Sequence, residues 1–436
     1  MNAKGCCTIP RELFYWITFL TKALPLRSVG SFIELLIGAM LTPQGFVTES
    51  YLFLRMKNHW TSYYKWLQQG KWSWLGLGRQ FIRLYLLLHK EKVVRLAIDD
   101  TLTLRASKKA PGSQIHHQHG NKPNLARYVR GQCWVSLAAV MGKQASGLAI
   151  PLLTRLIPSA GNTGKLMAAK VLMRAVMPLF EGRQLQLLVD SWYMRRTLIL
   201  PMVAQRCQVI GQVRIDTRLY DEPKKNKVKT RGRPAKYGDV YTTKRIAHLK
   251  KTTVTLSVHG KEQVVRYRTK LVKARFLDGL LVRAVWCEYQ SDKGQWKKTG
   301  LLLCTDISLT AEQVIESYSL RWSIESMFHQ LKQAWGLKET WQQSRQTLHR
   351  WVQLTMTGYG LIQLLDIFAK ENIEPLCQSM PWRKAEPITA GRIRYELAAN
   401  FRQVMVRTWW DKTCKKFCPP GDLQKTEEWE YWLKAG

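Results

Sequence analysis

The chain has 436 residues, 46% of them hydrophobic, and carries 68 Lys and Arg against 31 Asp and Glu, a formal net charge of +37. So much apolar material excludes a disordered chain and suffices for a substantial core spread over about two or three domains. The positive excess runs from end to end, and so basic a protein binds a polyanion by counterion release, with nucleic acid the natural partner.

The 18 Trp and 16 Tyr add rings that stack on unpaired bases, although most such rings serve as packing. Nine Cys is an odd count without the regular spacing of a secreted disulfide framework, which predicts a reducing compartment. Residues 1–10 lack the apolar run of a signal peptide, and the apolar stretch 136–158 is broken by Lys143, Gln144 and Arg155. A cytoplasmic protein with no membrane segment is expected.

From 12 to 91 apolar residues recur at helical spacing, as in Phe32, Leu35, Leu36 and Met40, so residues 1–91 read as a basic helical DNA-binding domain, with a Gly- and Trp-rich turn at 70–78. At 93–98 the pattern becomes a short apolar strand ending in Asp99, Asp100 and Thr101. Further strands are predicted at 132–140 and 147–157, a helix at 161–180, and a buried strand at 185–189 ending in Asp190. These make 92–208 the first part of a mixed α/β core. Residues 209–304 alternate in short Val-, Thr-, Tyr- and Arg-rich segments and read as a β-rich insertion. Helical periodicity returns over 310–336 and 350–368, giving 305–370 as the last part of the core and 371–436 as a weakly patterned tail.

The segment from Tyr318 to Lys332 holds the most information. At about 100° per residue with Tyr318 at zero, Arg321 falls near about −60°, Glu325 near about −20° and Lys332 near about −40°. One narrow stripe thus carries a phenol, two cations and a carboxylate, while Leu320, Ile324, Met327 and Leu331 occupy the opposite side and bury the helix against a sheet. Arg321 and Glu325 also have the i, i+4 spacing of an ordinary solvated pair. What sets them apart is that Asp99/Asp100 and Asp190 close apolar strands, where carboxylates of one sheet can converge. Phosphodiester chemistry needs such a cluster, with two Mg²⁺ about 4 Å apart activating the nucleophile and stabilising the leaving oxygen.

With LAIDDTLTL, LLVDSWY and Tyr318-x2-Arg321-x3-Glu325-x6-Lys332 in that order, the sequence resembles the DDE transposases of bacterial insertion sequences, in the branch marked by a Tyr-x2-Arg-x3-Glu-x6-Lys signature. The resemblance covers roughly residues 95–360. It implies an RNase H-like catalytic core, cut-and-paste transposition on double-stranded DNA (transposon ends and target), and a homodimer pairing two ends. Two Mg²⁺, replaceable by Mn²⁺, would be held by Asp99, Asp190 and Glu325. Tyr318, Arg321 and Lys332 would grip end phosphates, and Trp286 or Trp296 of the insertion would receive a flipped base. The first motif is ambiguous. The family's Asp-x-Thr form selects Asp99, whereas a carboxylate immediately before Thr selects Asp100; adjacent strand residues face opposite ways, so only one reaches the metals.

Arg231-Gly232-Arg233-Pro234 matches the core of a minor-groove AT-hook within a basic loop. His116, His117 and His119 lack the partner pair of a zinc site and are expected to line the DNA channel instead. Dimerisation is assigned to 350–368 and the tail, end recognition to the N-terminal helices, and location to the cytoplasm, in association with the nucleoid. Two other functions fit the same residues: a metal-dependent nuclease that does not join, and a domesticated, non-catalytic DNA-binding protein.

Overall fold

The computed structural model describes residues 9–118, 126–143, 146–157, 162–223, 235–378, 381–383 and 386–419. Helices α1 (Arg11–Thr21), α2 (Leu26–Leu41), α3 (Val47–Phe53), α4 (Trp60–Gln69) and α5 (Trp74–Leu88) come first. The turn expected over 70–78 is shorter, because the Ser73 side chain accepts from the Gly76 amide at 3.2 Å and caps α5. Strands β1 (Val93–Leu104), β2 (Ser113–His117), β3 (Tyr128–Lys143) and β4 (Ser146–Leu156) then lead into α6 (Asn162–Val176), β5 (Gln184–Val189), α7 (Arg196–Ala204) and β6 (Cys207–Val213). Next come β7 (Leu219–Tyr220), α8 (Thr243–Ala247), β8 (Thr252–Val258), β9 (Lys261–Ala274), β10 (Leu280–Tyr289) and β11 (Gly300–Cys304). The chain finishes with α9 (Ala311–Ser319), α10 (Ser323–Ala334), α11 (Arg345–Phe368), α12 (Lys370–Leu376), α13 (Ala390–Phe401) and the pair β12 (Trp410–Asp411) and β13 (Lys416–Phe417).

One sheet in the order β2-β3-β1-β5-β6-β11-β10-β9-β7 runs through the molecule, with β4 beside β3 and β8 beside β9. Strands β1, β5 and β6 are mutually parallel, whereas β3 is antiparallel to β1 and to β4. This large mixed sheet flanked by helices fits the RNase H-like expectation. The 209–304 region does not begin a separate sheet. Its first residues belong to β6, a parallel core strand, and β11 returns antiparallel to β6, so β7 to β10 extend the same ladder.

Helix α11 lies at the centre, with each residue from Thr347 to Asp366 buried, packed against α2, α5 and β4. Its polar side chains are spent on the surrounding backbone. Arg350 donates to the carbonyls of Leu67 and Gly70 at 2.7 Å each and to that of Trp72, Trp351 Nε1 to Gly45 at 2.8 Å, and Gln353 to Leu152 at 3.1 Å. Such bonds answer groups that burial would otherwise leave unpaired. The N-terminal helices therefore share a core with α11. Of the segment 350–368 expected to form a dimer contact, residues 350–366 are covered by this chain, and Ile367 and Phe368 are half-buried. The C-terminal segment packs back on the N-terminal helices, with Phe417 against Phe14 at 5.6 Å and Arg407 paired at 3.2 Å with the fully buried Glu34 of α2.

His349 of α11 sits edge-on to Trp74 at 5.1 Å and beside Trp134 at 5.6 Å, and burial, helped by Arg345 and Arg155, pushes its pKa from 6.5 down to about 4. Between those values the unfolded chain binds a proton that the folded chain refuses, so stability falls as pH drops through that window. Urea unfolding should show a loss of about 2–3 kcal/mol from this group between about pH 7 and about pH 4.5. His349→Phe should flatten that part of the slope.

Candidate active site

The parallel pairing of β1 and β5 sets the first two carboxylates. Their apolar runs are in register, with Ile98 opposite Val189, so the next residues along, Asp99 and Asp190, come side by side on strands about 4.8 Å apart. β1 does not end at the aspartates, as the sequence suggests. It continues to Leu104 along β3, and only its pairing with β5 stops at Ile98. Asp190 opens a turn in which its Oδ1 accepts the amides of Trp192 and Tyr193, both at 3.0 Å.

The third carboxylate arrives on α10. The helical stretch around it is interrupted: α9 ends at Ser319, a tighter 3₁₀ turn covers Leu320–Trp322, and α10 starts at Ser323. Ile324, Met327 and Leu331 bury the inner face as expected. Arg321, only 9% exposed, donates from one guanidinium nitrogen to Asp99 Oδ2 at 2.9 Å and from the other to Glu325 Oε1 at 2.9 Å. Its guanidinium also lies 5.8 Å from the Tyr318 ring centre, and the Tyr318 hydroxyl donates to Gln212 Oε1 at 3.4 Å. Burial raises the Tyr318 phenol to about 12. Lys332 lies two turns farther along α10, about 10 Å by helical rise, and is half-buried.

Burial, followed by the neighbouring Asp190 charge, pushes the Asp99 carboxyl up to about 7 against the opposing pull of Arg321. Ionising Asp99 is thus costly unless a cation lies beside it. Among the described residues no trio of His, Cys, Asp or Glu is already drawn together closely enough to hold a metal. The guanidinium of Arg321 stands in that place, between Asp99 and Glu325. A carboxylate set that accepts a cation in this way has the hard oxygen donors that divalent magnesium or manganese takes.

Asp100 points the other way. Its Oδ2 pairs with Lys165 Nζ at 2.8 Å, and its Oδ1 accepts from the Tyr193 hydroxyl at 3.1 Å. The structure therefore joins Asp99 and Glu325 through Arg321, sets Asp190 beside Asp99, and leaves Asp100 off the face that carries Glu325, as strand alternation requires. Trp286 is only 3% exposed and packs on Tyr241 at 6.0 Å, so it offers no free face for a base. Trp296 is half-buried, with the Arg266 guanidinium 4.1 Å from its ring centre and Arg266 paired with Glu288. Arg231, Arg233 and His119 lie outside the described residues. His116 is held at 3.2 Å from the Gly131 carbonyl, and His117 accepts from Arg127 Nε at 3.0 Å. Sequence reasoning missed Lys165, which no motif marks, and Tyr193, which stands in the quoted LLVDSWY segment with no sign of its role.

A family model described as DDE superfamily endonuclease matches residues 32–273, a span that contains Asp99 and Asp190 and ends before Tyr318. No curated protein matches the chain. Proteins of that family act on DNA and generally use divalent metals. No helix among the described residues is long and apolar enough to cross a membrane.

Removing the central cation should expose its role. In Arg321→Met the buried Asp99 charge loses its partner, and at about pH 8 urea unfolding should register a loss of about 3 kcal/mol. Adding Asp99→Asn should recover most of that loss in a double-mutant cycle, whereas additive losses would mean that the two side chains are not coupled.

Proposed function

Since this chain belongs to the DDE superfamily endonucleases, we propose that it is a transposase performing cut-and-paste transposition of an insertion sequence by phosphodiester hydrolysis and strand transfer. The observation that carries this reading is the joining of Asp99 and Glu325 through one guanidinium, with Asp190 in register beside Asp99. Asp99, Asp190 and Glu325 are the residues that would hold two Mg²⁺, with Mn²⁺ as a substitute. Bound there, the ions supply activation of the attacking water or 3′-hydroxyl and stabilisation of the leaving oxygen.

The chain's own side chains do the rest. The turn bonds to Asp190 Oδ1 fix that carboxylate before any ligand arrives. Arg321 presents a planar fork that suits a phosphate as well as it suits carboxylates, so it is placed to take the transposon-end backbone together with Tyr318 and Lys332. Trp296, whose neighbours include Arg266, is a better stacking platform for an extruded base than the enclosed Trp286. Arg231 and Arg233 remain candidates for the minor groove of the same DNA, and pairing of two ends calls for a homodimer.

The test is strand cleavage and joining with Mg²⁺ on a duplex carrying the element's own end, comparing wild type with Glu325→Gln. Nicking and joining by wild type, reduced by at least about a thousandfold in the variant while DNA binding persists, are expected for loss of a carboxylate ligand. Cleavage without joining would favour a nuclease, and binding without cleavage a domesticated DNA-binding protein.

A further inference from the structure

Immediately behind the carboxylate pocket, on the opposite side of β1, lies a second cluster that the reaction does not use directly. Asp100 anchors it. Its two oxygens take the Tyr193 hydroxyl at 3.1 Å and Lys165 Nζ at 2.8 Å, and Oδ2 also accepts the Cys133 thiol at 3.4 Å. Lys165 in turn lies 5.1 Å from the ring centre of Trp192. Both side chains of the ion pair are largely enclosed, 20% exposed for Lys165 and 19% for Asp100, so solvent weakens the pair less than at an open surface.

Trp192 and Tyr193 are the same two residues whose amides grip Asp190 Oδ1 at 3.0 Å. Their backbone faces the pocket while their side chains are held from behind by Lys165 and Asp100. Residues 99 and 100 thus face opposite ways by strand alternation: the first meets Arg321, and the second meets Tyr193 of the turn whose amides bond Asp190. Cys133, paired across the ladder with Leu102, closes the cluster from β3.

We propose that Asp100, with Lys165 and Tyr193, is a positioning unit that sets the orientation of Asp190 and thereby the affinity of the site for divalent metal. This rests on the reading of Asp99, Asp190 and Glu325 as the metal-holding carboxylates. Groups that orient a ligand in this manner govern metal affinity by about ten- to a hundredfold. The cost of losing them falls on affinity, because a correctly filled site still presents the same ligands once metal saturates it.

The experiment follows Mn²⁺ binding to the full chain without DNA, by loss of the free Mn²⁺ signal in electron paramagnetic resonance. Beside it, the Mn²⁺ dependence of cleavage is measured on a duplex carrying the element's end. Wild type is compared with Asp99→Asn, Asp100→Asn, Lys165→Met and Tyr193→Phe, the last removing only a hydroxyl, with thermal melting as a check on folding. Asp100→Asn, Lys165→Met and Tyr193→Phe should each weaken Mn²⁺ binding about tenfold or more and shift the metal midpoint of cleavage by the same factor, with the rate at saturating Mn²⁺ within about threefold of wild type. Asp99→Asn should neither bind Mn²⁺ in the site nor cleave at any concentration. Wild-type Mn²⁺ affinity in folded Asp100→Asn and Tyr193→Phe would overturn the proposal. So would an Asp100→Asn variant that is inactive at every Mn²⁺ concentration beside an active Asp99→Asn, since Asp100 would then be the ligand. Unchanged Mn²⁺ binding in Asp99→Asn, with wild-type cleavage, would instead remove the underlying assignment of the site.

Discussion

Side chains on a β-strand alternate between the two faces of the sheet, and at Asp99 and Asp100 this simple constraint organises the chemistry of the molecule. One carboxylate is directed toward the 3₁₀ turn before α10, where it meets Arg321, and the next toward α6, where it meets Lys165. A shift of one residue in the pairing of β1 would exchange the two and bring Asp100 beside Arg321. Register is held by apolar packing: Leu96, Ala97 and Ile98 and their partners Leu187, Leu188 and Val189 are all fully buried. The hydrophobic core therefore sets the position of the charges.

The charge balance is divided in the same way. An excess of Lys and Arg spreads over the chain and suits a polyanionic partner, yet Arg321 joins the carboxylates of Asp99 and Glu325, with Asp190 near enough to Asp99 to raise its carboxyl. Collecting like charges where screening is poor is costly, and the raised Asp99 carboxyl records that cost. Arg321 offsets it in the free protein. Because a guanidinium fork matches carboxylate and phosphate alike, the residue that neutralises the pocket is also suited to meeting DNA there.

Around the pocket, rigidity comes from α11 and from contacts between distant parts of the chain. The loop at Gly45 approaches the backbone of Gly336, which has φ +63°, so closely that a Cβ on Gly45 would lie 2.0 Å from the Gly336 carbonyl oxygen; only glycines permit that approach. Beside it, Trp351 bonds the Gly45 carbonyl, and Arg105, at the end of β1, donates to the carbonyls of Lys338 and Thr340. The β1 strand, the exit from α10 and the N-terminal helices are thereby fastened to one another, which keeps the carboxylate-bearing elements in fixed relation.

Much of this was legible in the residues themselves. Apolar periodicity located most of the helices and core strands, and the spacing of Tyr318, Arg321 and Glu325 put them on one side of a helical segment, because those patterns reflect local backbone geometry that each segment carries with it. Between the two residues before Thr101 the Asp-x-Thr pattern leaned to Asp99 as the ligand, but the sequence left Asp100 open. Only register and strand direction separate them, and those depend on β3 and β5, whose contacts come from residues tens of positions away. The same holds for the enclosure of Trp286, the burial of α11 on all sides, the continuity of the 209–304 strands with the core sheet, and the convergence of Lys165 and Tyr193 on Asp100. Local pattern determined which elements form and what chemistry they carry; which side chains meet was decided by packing between elements, since burial and pairing are properties of neighbours that a linear sequence does not place side by side.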